Sequence, residues 1–166
     1  MGLFDLFKKK RTVNPNESRI DDDDVFLQAE PVSRKRMDLL WLDTKTLHQL
    51  EQPVAQHGVI TVTMGDNSNL RDHEITQEDY DWAKGIQQII EEAFSAGQRG
   101  NHKMAIVHYK KALELAPGCD LFLMSIGSGY AHLGQKAKAL KYLEKAAQIS
   151  PGNSRIRNNL NNVRKM

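Results

Sequence analysis

The residues able to do chemistry are few, and their spacing does not gather them to one task. Six histidines are spread along the chain. No two of them flank an acid at i and i+4, the helical spacing that sets two imidazoles and a base around one metal. His48 and His57 lie near each other, with no third ligand evident. Asp21 to Asp24 is an acidic run that lacks the alternation and the glycine of a calcium loop, so solvation accounts for it. Gly127-Ser128-Gly129 has the composition of a phosphate cradle but falls inside a helical pattern, at positions set by packing. The single Cys119 stands in a turn, and no serine or cysteine elbow surrounds a nucleophile. One cysteine makes no internal disulfide, which fits a reducing compartment. The Asn16-Glu17-Ser18 sequon has a use only in a secreted chain. The expectation is a protein that is not an enzyme and carries no metal and no cofactor.

What remains is surface chemistry. Leu3, Phe4, Leu6 and Phe7 share one broad helical face, and Lys8, Lys9, Lys10 and Arg11 follow at once. Apolar rings beside a basic cluster suit an anionic membrane surface. Leu3, Phe4, Phe7, Lys8, Lys9, Lys10 and Arg11 are therefore the candidate contacts to membrane or to another acidic surface. Gly2 is not a myristoylation site, because Leu6 stands where Ser or Thr is needed. No stretch approaches the roughly 20 apolar residues of a membrane span. The apolar start precedes the basic residues, the reverse of a secretory leader. The expected location is cytoplasmic, peripheral at the membrane where the first segment touches lipid.

Charge is lopsided. Residues 98–166 carry a net charge of +9 and residues 1–97 a net charge of −7, within a total of +2. Such a division suits an acidic partner, a membrane surface, or docking of one half on the other. Lys103, Lys110, Lys111, Lys136, Lys138, Lys141 and Lys145 fall on outward helix faces, joined by Arg155, Arg157, Arg164 and Lys165. Few aromatics or arginines interleave with those lysines, so stacking of bases is poorly served and nucleic acid is not the expected partner.

The elements behind these residues begin with a period. From Ile86 to Gly152 the chain repeats itself at an offset of 34 residues. Ile89 recurs as Leu123, Ala93 as Gly127, Gly100 as Gly134, Ala105 as Ala139, Tyr109 as Leu143 and Ala112 as Ala146. Pro117-Gly118 recurs as Pro151-Gly152. Small residues let two helices approach, and large ones fill the gaps between them. Gly100 and Gly134 sit where a helix must stop and turn. A period of this length marks stacked helical hairpins, each needing its neighbour to bury an apolar face.

This pattern resembles the tetratricopeptide repeat, through Leu123, Gly127, Tyr130, Ala139, Leu143, Ala146 and Pro151. The first copy departs from it at Glu92, where the family prefers Leu, and at Ala96, where it prefers Tyr. The resemblance implies a non-catalytic interaction module whose first helices line a concave groove. Carried over by position, that groove displays Gln87, Ile90, Phe94, Leu121, Met124, Ser128, His132, Arg155 and Asn158. It would take another protein, as an apolar peptide or helix. Ile90 and Phe94 stand where the family's clamp for acidic chaperone C-termini needs Lys and Asn, which disfavours that partner class. Trp41 or Val62 from the preceding region could instead fill the groove from within.

The fold class expected is mainly α: antiparallel hairpins of such a solenoid with a capping helix, after a small α/β or irregular N-terminal segment. Residues 1–36 read as a flexible segment with an amphipathic start and a charged linker, in which Val25-Phe26-Leu27 is a short docking element. Residues 37–75 read as a strand–helix–strand appendage. Its strands are Asp38–Leu42 and Val59–Met64, its helix runs from Thr44 to a stop at Pro53, and a polar loop covers Gly65–Glu74. A helix over 34–52 is the alternative. Residues 76–166 form the helical domain. Thr76 and Asp79 make a capping-box start to a helix ending near Ala96, in which Tyr80 and Trp82 are packing residues. Helices follow over 103–115, 121–133 and 136–149. The last, over 154–165, is apolar only at Ile156, Leu160 and Val163, as a terminal cap must be.

Overall fold

A computed structural model describes residues 22–65 and 69–166. The amphipathic segment 1–11, with Leu3, Phe4, Phe7, Lys8, Lys9, Lys10 and Arg11, lies outside the described residues, as do the Asn16 sequon and Asp21. Among the described residues the chain is mainly helical, with one two-stranded antiparallel sheet.

The repeats form two antiparallel hairpins and a last helix. They are α5 (Gln77–Gln98) with α6 (His102–Leu115), α7 (Asp120–His132) with α8 (Lys136–Ile149), and α9 (Ser154–Lys165). The expected boundaries hold to within two residues. Ala93, Ala105, Ala112, Ala139 and Ala146 are buried, with Leu123 and Leu143 between them. The close approach is measurable at Gly127, where an added Cβ would stand 2.7 Å from Leu143 Cγ. Only a residue without a side chain lets α7 lie this near α8. Glu92 is half exposed and faces His108 of α6 at 3.2 Å, so the first copy replaces an apolar contact with a polar one. Asn101 caps α6 through Met104 N, and Asn153 caps α9 through Arg155 N and Ile156 N. Ile156, Leu160 and Val163 are the buried face of α9.

α5 begins at Gln77, ahead of the repeat, and this overhang carries the N-terminal elements. They are α1 (Asp22–Gln28), α2 (Arg34–Leu40), α3 (Thr44–Gln49), α4 (Glu51–His57), β1 (Val59–Met64) and β2 (Arg71–Thr76). Four expectations are corrected here. Residues 22–36 are not a flexible linker throughout: α1 packs on α6, and the docking element expected at Val25-Phe26-Leu27 does dock, with Phe26 and Leu27 partly buried against the core. The chain then crosses the α6–α7 turn, with Val32 N donating to the Pro117 carbonyl. At that turn Gly118 has φ 71, and a Cβ on it would come within 2.6 Å of Pro31 Cα.

Asp38–Leu42 is not a strand. Ser33 caps α2 through Arg36 N, and Asp38 pairs with Arg34 one turn back at 2.8 Å, a spacing only a helix provides. Pro53 does not end a helix either. It lies in the first turn of α4, where its missing N–H has no helical acceptor to lose, and the break falls at Leu50. The expected loop over 65–74 contains β2, whose register sets Val59 opposite Thr76 and Met64 opposite Arg71. The strand–helix–strand appendage is thus three short helices followed by a hairpin.

Candidate partner groove

In a stack of hairpins the first helices share one side and the second helices the other. α5, α7 and α9 hold the first position. On α5, Gln87 is half-buried and its Nε2 donates to the Leu42 carbonyl at 3.1 Å. The first groove position therefore holds the N-terminal elements. Ile90, one turn on, is partly buried against the core. Phe94 is 59 % exposed, although Ala93 and Ala96 beside it are buried. On α7, Leu121 is partly buried and Met124 is 5 % exposed, so Met124 is floor, not rim. The Ser128 hydroxyl accepts from Asn159 Nδ2 at 3.1 Å, which ties α7 to α9. His132 is exposed, its ring stacked on His102 with centroids 4.3 Å apart and planes 4° from parallel. Arg155 and Asn158 on α9 are exposed.

The nine expected groove residues thus divide. Phe94, His132, Arg155 and Asn158 face solvent, and Ile90 and Leu121 do so in part. Gln87 and Ser128 are bonded within the chain, and Met124 lies beneath the surface. Trp41 does not fill the groove from within: it closes α2 and is 56 % exposed. Val62 is partly buried against the core.

Position-by-position carry-over from the repeat missed the groups that fix the near end of this surface. Asp79 is buried at the start of α5. Its carboxylate takes Lys35 Nζ at 2.6 Å, Arg36 Nε at 3.5 Å and the Thr76 amide at 3.2 Å. Burial pushes this carboxyl up, but the Lys35 and Thr76 hydrogen bonds outweigh it and hold the group below its ordinary range. Arg36 also lies over the Trp82 ring, whose Nε1 donates to the Leu115 carbonyl at 3.1 Å. Tyr80 and Trp82 are buried packing residues, as expected. Asp38, 1 % exposed, pairs with His73 of β2 at 3.0 Å as well as with Arg34. The Arg34-Lys35-Arg36 triplet is the one signal that could have revealed this docking. The His102–His132 stack had no signal, because their separation is not the repeat period.

Elsewhere the chemistry is quiet. Cys119 is buried, and burial pushes its thiol up to about 12, so it stays protonated at neutral pH. The outer lysines are partly engaged. Lys110 lies over the Phe26 and Tyr130 rings, Lys138 over Tyr130, and Lys136 Nζ donates to the Arg164 carbonyl at 3.0 Å. Among the described residues no helix is long and apolar enough to cross a membrane.

Two models of the tetratricopeptide repeat match the chain, one over residues 93–119 and one over residues 121–153. Residues 93–119 and 121–153 therefore carry tetratricopeptide repeats, and the mostly helical fold fits a helical repeat solenoid. A comparison with curated proteins finds no match. Repeats of this family are, in general, protein–protein interaction modules and non-enzymatic scaffolds.

Proposed function

We propose that this protein is an adaptor that holds an apolar peptide or helix of another protein in the groove of α5, α7 and α9, with Phe94 as the anchor. The observation that carries this reading is the exposure of Phe94 on a helix fixed on both sides of it. A large ring held in water on a rigid element gains free energy when a partner covers it, and such rings carry most of the energy of interfaces. Ile90 and Leu121 widen the apolar floor, and His132, Arg155 and Asn158 give it a polar margin.

The test is to pan a random peptide display library on the immobilised chain and measure enriched peptides against variants. Apolar peptides that lose at least tenfold in affinity on Phe94→Ala, and bind Lys111→Ala unchanged, support the groove. Enriched peptides that ignore Phe94→Ala but fail with Lys111→Ala move binding to the outer face.

A second reading has the chain meet an anionic membrane at the cytoplasmic side through Phe4, Phe7 and Lys8 to Arg11. Exposed Lys103, Lys111, Arg157 and Lys165 favour it. Vesicles containing phosphatidylserine would co-sediment the chain less after Phe4→Ser with Phe7→Ser, and less in high salt. Equal sedimentation of both chains would retire it.

A further inference from the structure

The hairpin β1–β2 is a sheet of two strands, and one of its edges is unguarded. Among the described residues no backbone hydrogen bond joins β1 to any element except β2. Among the described residues nothing therefore pairs with the amides and carbonyls on the outer edge of Val59-Ile60-Thr61-Val62-Thr63-Met64. Natural sheets protect such edges with charge, proline or a bulge. β1 has no charged residue and no proline, and its register with β2 runs unbroken from Val59 to Met64. β2 differs: Arg71, Asp72, His73 and Glu74 line it.

We propose that β1 is a homodimer interface, at which two copies of this chain join their β1 strands antiparallel into one four-stranded sheet. The strand is complementary to itself. A two-fold axis at Val62 sets Val62 of one copy opposite Val62 of the other, Ile60 opposite Met64, and Thr61 opposite Thr63. Ile60, Val62 and Met64 form the inward face, partly or fully buried, while Val59, Thr61 and Thr63 face solvent. In this register the apolar faces of both copies run on continuously, and threonines meet threonines outside, a pairing sheets favour. The same operation on β2 fails. Axes at Asp72 or Glu74 set that acid opposite itself, and an axis at His73 sets Asp72 opposite Glu74, so like charges meet. The hairpin also has reason to seek partners, because two strands alone are marginal and three or more make a stable sheet. A closed two-fold pairing uses the free edge of both copies and leaves β2, the charged strand, at each rim. The pairing uses no groove residue, so it stands or falls separately from peptide binding at Phe94.

The test is sedimentation velocity of the full chain across the micromolar range, with charge placed on the exposed face of β1. The wild type should sediment as a dimer that dissociates on dilution. Thr61→Lys with Thr63→Lys sets lysine against lysine across the axis, and should be monomeric with circular dichroism and helical melting retained. Thr61→Glu with Thr63→Glu should behave likewise. An equimolar mixture of the two variants should recover the dimer, because lysine then meets glutamate. A wild type that is monomeric throughout would overturn the proposal, including the case in which β1 is covered by the chain's own N-terminal residues. A lysine variant that remains dimeric, or a mixture that fails to associate while the wild type is dimeric, would also overturn it.

Discussion

The repeat hairpins and the residues before them are both largely helical, yet different physics holds them. In the hairpins, small residues face large ones: Ala139 and Ala146 are fully buried with Leu143, and Gly127 meets Leu143 without room for a Cβ. In the N-terminal region much of the fixing is ionic and capped. Asp38 and Asp79, both buried, gather Arg34, Lys35, Arg36 and His73. Close packing is insensitive to pH and unforgiving of volume. Buried carboxylates depend on their charge and on partners held at hydrogen-bond distance. The first region should therefore break by overfilling, and the second by neutralisation.

The largest effect is expected from Ala139→Leu. Three added carbons at a fully buried residue, whose carbonyl oxygen lies 3.2 Å from where a Gly127 Cβ would stand, should cost about 1–3 kcal/mol, read as a lower thermal midpoint. A neutral outcome would mean that α7 and α8 are not packed by small residues.

Asp79→Asn comes next. It removes the charge that Lys35 and Arg36 meet but keeps a side-chain oxygen to accept from the Thr76 amide in the capping box, so the loss should be about 1 kcal/mol. The folded carboxyl lies below its ordinary range. Its stabilisation is therefore complete above the unfolded value and fades as acid carries the pH down through the folded one. Hydrogen exchange at a pH below the ordinary carboxyl value of 3.8 should show residues 34–76 opening before residues 103–165 in the wild type, and opening already near neutrality in the variant. Simultaneous opening of both regions would make them one cooperative unit and erase the contrast.

The smallest effect on stability is expected from Phe94→Ala. At 59 % exposure the ring shares little of the core, so the midpoint should move by no more than about 0.5 kcal/mol in equivalent stability. A large drop would show that the ring is structural.

The contrast also explains what could be seen in the sequence. The hairpins were legible because packing of like on like repeats: the same small-large order appears at Ala105 to Ala112 and at Ala139 to Ala146. Among the N-terminal elements, β1 at Val59–Met64 and the start of α3 at Thr44 were legible, and α2 only as the helical alternative over 34–52, while β2 was not, because ion pairs leave no period. Leu39-Leu40-Trp41-Leu42 looks like a buried strand until Ser33 and the Arg34–Asp38 pair are counted. β2 hides behind Arg71, Asp72, His73 and Glu74, with Ile75 its one fully buried apolar residue. In the groove, the period placed every residue on the correct helix. It could not show that Met124 is sunk or that Gln87 and Ser128 are already bonded, since those depend on neighbours outside the repeat.

We propose that the groove around Phe94 is open and receives a partner. It is tested most directly by amide chemical-shift mapping of the labelled chain, titrated with a peptide enriched from the display library. The account predicts shifts that cluster on Ile90, Phe94, Leu121, His132 and Arg155, leaving Lys111 and Lys141 on the outer helices unmoved. Shifts confined to the outer lysines, with Phe94 silent at saturation, would contradict it.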